Sequence, residues 1–215
     1  MGKDEILSES AGTPSSAADG GSGLSARDLI TTGVFTALFL VFMMIGGALF
    51  APNPVLTFGM PAAAALLTGP VYLLLIARVP KHGPLIILGA VVGAIMFATG
   101  MYWGWAAASV VLGVVADVVA GLGRFRAAPL NLAAFVIYSL SPMGSYIMLW
   151  ADPAGYAAYL TGKGTEQAYM DTMARTATAW MLPAMTLAAV VCALISGLVG
   201  LRLLRRQFER AGMTA

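Results

Sequence analysis

Asp117 is the one ionisable side chain placed well inside an apolar stretch, and a lone carboxylate there has few uses. It stands about one turn from the basic end of its segment. It reads as an interfacial carboxylate paired with Arg124 or Arg126, or else as a partner contact or part of a gate. A proton relay needs more than one such group. His82, the only histidine, adjoins Lys81 and reads as a solvated turn residue. The single cysteine, Cys192, excludes an intrachain disulfide. The stretch TGKGT at Thr161 to Thr165 carries a Gly-Lys pair. It lacks the glycine five positions before Gly162, and Gly164 stands where a phosphate-cradling loop needs Ser or Thr. There is no HExxH pattern, no metal-ligand cluster, and no carboxylate or Ser/His pair of the kind an intramembrane protease uses. The reading is a non-enzyme with no metal and no cofactor; if it transports, something else supplies the energy.

The residues that could bind rather than react are sorted to one side. Trp103, Trp105, Trp150 and Trp180 all fall at segment ends remote from ten of the twelve lysines and arginines. An interfacial aromatic belt would place tryptophan at both ends. Apart from Met1 and Met213, every methionine lies in the same half, Met60 and Met96 among them. Methionine is flexible and polarisable and lines adaptable apolar surfaces. Pro61, Pro142 and Pro183 are expected to break the same halves of their helices, and polar Ser139, Ser141, Ser145 and Tyr146 surround Pro142. The expectation is an outward-facing pocket with Asn53, Met60, Met96, Trp103, Trp105, Tyr146, Trp150 and Trp180 near the substrate. Such walls suit a largely apolar or flat ligand. Simple core packing is the competing reading.

The elements that must position these residues follow from composition. The chain is 59% hydrophobic and 10% charged, whereas a soluble domain carries about 25% charge. A soluble enzyme, a nucleic-acid binder and a disordered regulator are all disfavoured, and a net charge of +2 argues for no polyanion partner. Six apolar runs are long enough to be membrane helices: about Asp28 to Phe50, Thr57 to Ala77, Pro84 to Gly100, Trp103 to Gly121, Ala128 to Trp150 and Thr176 to Leu201, the third being short. Ten of the twelve basic residues lie at one side of these runs; only Lys163 and Arg175 lie at the other. The positive-inside rule makes the basic side cytoplasmic. The expected fold is an all-α membrane protein of six transmembrane helices, residues 27–207, with both termini cytoplasmic. Residues 1–26 read as a disordered tail without a secretory signal, and 208–215 as a short tail. The long outer connection, about 151–175, reads as a packed cap with two short surface helices.

Small residues recur at helical spacing: Trp105, Ser109, Gly113, Asp117 and Gly121 in the fourth run; Gly89 and Gly93 in the third; Ala188, Cys192, Ser196 and Gly200 in the sixth; Gly33 and Ala37 in the first. Small-residue stripes let membrane helices approach closely. Each stripe serves intramolecular packing or the docking of a separate membrane subunit.

The stretch APNPVLTFGMPAAAALLTGPVYLLLIARVPKHG (Ala51 to Gly83), the outer AGYAAYLTGKGTEQAYM and the C-terminal RRQFERAGM resemble the pattern of the Trep_Strep family of bacterial membrane proteins, in the same order and spacing. The resemblance covers about Leu24 to Met213. That family in turn resembles the S components of energy-coupling factor transporters. These six-helix subunits of the bacterial cell membrane capture a micronutrient outside and work with a membrane coupling subunit and two cytoplasmic ABC ATPases. The resemblance implies coupling contacts at Gly33 and Ala37. Alanine is usual at both positions, and Gly33 keeps the small-residue logic. It does not fix the ligand: a vitamin and a haem-like tetrapyrrole both fit, and the methionine bias leans toward a large apolar ring. A non-transporting scaffold or assembly factor remains the alternative, with a lipid-modifying membrane enzyme behind it.

Overall fold

A computed structural model describes residues 23–210, so parts of both expected tails, 1–22 and 211–215, lie outside the described residues. The described chain is helical throughout: α1 (Ala26–Ala48), a 3-10 turn (Leu56–Gly59), α2 (Met60–Arg78), α3 (Pro84–Ala98), α4 (Trp103–Leu122), α5 (Ala128–Ser139), the single turns α6 (Met143–Tyr146) and α7 (Met148–Ala151), α8 (Pro153–Gly162), α9 (Gln167–Thr176) and α10 (Met181–Arg210). Five stretches are long and apolar enough to cross a bilayer. The third expected span, α3, has 15 residues. At 1.5 Å per residue it reaches about 22 Å, short of the roughly 30 Å hydrocarbon core.

Local signals start the helices. Ser25 caps α1 in a capping box: its hydroxyl accepts from the Asp28 N–H at 3.2 Å, and its own N–H donates to the Asp28 carboxylate at 3.0 Å. Prolines open α2, α3, α5 and α8 within their first turns, where a missing N–H costs nothing. Pro61 and Pro183 therefore sit in first turns and do not break their helices as expected. Pro142 does interrupt the fifth run. That run is not one helix to Trp150: it stops at Ser139 and resumes as α6 and α7. Pro70 lies inside α2, and the neighbouring Gly69 N–H donates to the Ser196 hydroxyl of α10 at 3.1 Å.

Inside a bilayer, apolar burial gives little net drive between helices, and close backbone approach replaces it. α3 runs antiparallel along α4 with Gly89 against Ser109 and Gly113, and Gly93 against Ala106; a Cβ on Gly93 would fall 2.8 Å from the Ala106 carbonyl oxygen. α1 meets α2 through Gly46, where a Cβ would lie 2.9 Å from the Ala63 carbonyl oxygen. α10 packs parallel to α2 through Ser196 on Gly69 and Gly200 on Pro70. So the stripes of α3, α4 and the second half of α10 are consumed within the chain. At the centre, Tyr72 stacks with Tyr138 at 5.6 Å between ring centres, flanked by Phe39 and Phe135.

The basic end is tied by two carboxylates acting on one turn. Lys81 Nζ lies 2.8 Å from Asp28 of α1. Asp117 of α4 takes the Gly83 N–H at 3.0 Å and stands 2.7 Å from His82 Nδ1. This corrects the expected partners: Asp117 faces His82 and Gly83, while Arg124 and Arg126 are exposed. The cause is the chain turn after α4, where Arg124 and Phe125 have φ of 51° and 61°. That turn seats buried Phe125, and no arginine, edge-on against His82 at 4.9 Å. His82 is thus a partnered residue with a solvent-facing side. Gly83 has φ +112°, a conformation that favours glycine. Asp117→Ala leaves the Gly83 N–H without its acceptor at a buried site. It should cost about 1–3 kcal/mol, read as a lowered unfolding midpoint in detergent; Asp117→Asn, which keeps an acceptor oxygen, should cost less.

Candidate functional site: a capped cavity at the end remote from the basic residues

A second apolar cluster sits at the other end, beneath α8 and α9. Phe58, Tyr102, Tyr146, Leu149, Tyr156, Met170 and Met173 are all buried there. Tyr102 contacts Tyr156 and Tyr159 at 5.3 and 5.0 Å between ring centres, which seats α8 on the start of α4. Gly104 and Gly144 pack backbone to backbone, so α6 lies directly on α4. α9 is fixed by Tyr169, whose hydroxyl donates to the Ala51 carbonyl at 2.8 Å.

These contacts frame a partly open cavity of about 190 Å³. Its inner wall is Met60 of α2 and Trp105 of α4. One side is Thr57 of the 3-10 turn with Ser145 and Tyr146 of α6. The roof is Tyr156 and Leu160 of α8 with Tyr169 and Met173 of α9, and Ala51, Met101 and Thr165 complete the rim. No charged side chain lines it. The Tyr146 hydroxyl donates to the Thr57 carbonyl at 2.9 Å and stands 2.9 Å from the Thr57 hydroxyl. The Ser145 and Tyr156 hydroxyls are 3.4 Å apart. Burial raises the Tyr156 phenol above its ordinary value, with the Ser145 hydroxyl offsetting part of the rise, and burial moves Tyr169 the same way. Both phenols are therefore neutral at physiological pH. Trp105 is 3% exposed, and its indole N–H has no partner among the described residues. Among those residues no group of three or more His, Cys, Asp or Glu could hold a metal ion.

The eight expected substrate residues divide. Met60, Trp105 and Tyr146 line the cavity. Trp150 stands behind it, against Phe58 at 6.3 Å, and its Nε1 donates to the Thr178 carbonyl at 3.3 Å. Asn53 is exposed; its side-chain oxygen accepts from the N–H groups of Val55 and Leu56 and so shapes the turn that delivers Thr57. Met96 belongs to the central core. Trp103 and Trp180 are 52% and 64% exposed and point away from the cavity, as interfacial anchors would. The residues missed are Thr57, Ser145, Tyr156, Leu160, Tyr169 and Met173. The signals that could have found them were the tyrosines of the long outer connection and the serines around Pro142.

Size limits what the cavity can hold. Pockets for drug-sized ligands span about 300–1,000 Å³, and a cavity of about 150 Å³ holds one benzene ring. A tetrapyrrole, one of the two ligands expected from sequence, does not fit unless α8 and α9 move outward.

Gly33 and Ala37, the expected coupling positions, lie on the exposed face of α1, and Gly33 has open space where a Cβ would stand. Thr32 and Thr36, on the other face of that helix, are buried.

Comparison with curated proteins gives no match, and neither does comparison with solved structures. A family model described as a hypothetical bacterial integral membrane protein, Trep_Strep, matches residues 26–210, nearly all of the described chain. With several apolar helices behind that match, the chain belongs to the Trep_Strep family of bacterial integral membrane proteins.

Proposed function

We propose that this chain is the substrate-capturing S component of an importer of the energy-coupling factor type. It binds a small micronutrient in the capped cavity and hands it on through a membrane coupling subunit driven by two cytoplasmic ATPases. The observation that carries the reading is the partly open, uncharged cavity under α8 and α9, at the opposite end from ten of the twelve basic residues. A cavity so placed receives ligand from outside under the positive-inside rule. A chain without a phosphate-cradling loop in its sequence takes its energy from a partner. In this reading six helices cross the cytoplasmic membrane with both termini inside. The antiparallel course of α3 along α4 supports the sixth crossing, with Thr99 to Tyr102 completing its length. The protein is not an enzyme and carries no cofactor.

The face of α1 that bears Gly33 and Ala37 is where a coupling helix would lie. It is flat, apolar and unused by the rest of the chain, with Ile30 and Val34 beside it. Affinity capture of the tagged chain from its own host should bring down a coupling protein and two ATPases. Ala37→Leu should reduce their recovery by about tenfold or more, since a single large side chain blocks a small-residue crossing. The yield and unfolding midpoint of the variant should stay at wild-type values. Capture of an unrelated partner set would favour the scaffold reading. Unchanged recovery in Ala37→Leu would remove α1 as the coupling face.

A further inference from the structure

We infer that the cavity selects an uncharged, flat molecule of one ring or two fused rings. The inference rests on the cavity being the capture site and adds the class of molecule captured. Three observations carry it. The volume, about 190 Å³, holds one or two rings. The polar groups on its wall are hydroxyls, among them Thr57, Ser145, Tyr146 and Tyr156, with no basic or acidic side chain to offset a ligand charge. An ion stripped of water and left unpaired there pays a large desolvation cost, so the site discriminates by charge. Trp105 walls the cavity with its ring, its indole N–H being shut off from the cavity space. Trp105 and the methionine walls offer ring faces and soft sulfur for the flat surface of the ligand.

Three probes of one ring and one shape separate charge from size: benzamide is neutral, benzoate anionic and benzamidine cationic. Equilibrium dialysis against the purified full chain should show benzamide binding about tenfold or more tighter than either ion. Equal or tighter binding of either ion overturns the inference, and so does failure of all three probes to bind. Binding of a porphyrin with a shifted Soret band overturns the size limit. Each of these leaves the importer reading standing if the ATPases still copurify, and loss of the ATPases alone leaves the cavity's selectivity standing.

Discussion

Gly89→Ala should prevent the chain from reaching a stable, monodisperse fold, although it adds one methyl group. A Cβ at Gly89 would collide with the Ser109 backbone carbonyl oxygen and lie 3.2 Å from the Gly113 Cα. Neither is the end of a flexible side chain, so α3 and α4 must separate along their whole crossing. Overpacking a core commonly costs about 1–3 kcal/mol when side chains can yield. Here backbone must yield, and helix association in lipid rests on this close approach, so the loss should reach or exceed that range. The cavity sits on the same helix, through Trp105 one turn before Ser109. Gly33→Ala is the control: with nothing within 4 Å of the new Cβ, it should leave the unfolding midpoint unchanged or slightly raised. Midpoints and elution profiles in a mild detergent check both.

Met60→Trp should empty the site without unfolding the protein. Met60 bridges the two apolar clusters, lines the cavity and is only partly buried. A bicyclic ring there occupies the space of a one-ring ligand and can tilt toward the open side. Affinity for benzamide should fall by about tenfold or more, because contacts and volume are lost together. The midpoint should drop by no more than the cost of modest overpacking, about 1–3 kcal/mol. Retained benzamide affinity in a folded Met60→Trp protein would move the binding site away from this cavity.

The sequence was most informative where composition and spacing act alone. Apolar run lengths located α1 to α4 to within a few residues but missed the break of the fifth run at Ser139 and the extension of α10 past Leu201 to Arg210, and the small-residue stripes of α3 and α4 were legible because glycine at these spacings has few other uses in a membrane helix. The tryptophan and methionine bias points to the end that holds this cavity; a second cavity of about 490 Å³, beside Ala77, Phe125, Asn131 and Leu204 at the basic end, carried no such mark. The walls of the capped cavity were less legible. Met60, Trp105 and Tyr146 were found because they project from helices on the predicted face. Thr57, Tyr156 and Tyr169 were missed because their positions depend on how the outer connection folds back, which no periodicity encodes. Trp180 and Met96 show the converse. They share a residue type with lining residues, but the rotation of α3 sends Met96 to the core and the turn before α10 leaves Trp180 at the surface. Asp117 was given the wrong partners, because the left-handed turn at Arg124 and Phe125 carries no glycine to announce it.

Native mass spectrometry of the full chain, released from its own host in mild detergent, tests the claim of capture most directly. The account predicts one non-covalent adduct per chain. That adduct should be an uncharged organic molecule of one or two rings, absent from Met60→Trp, in a sample with no Soret absorbance. A chain that carries no adduct in any charge state, or one bearing a tetrapyrrole, would contradict it.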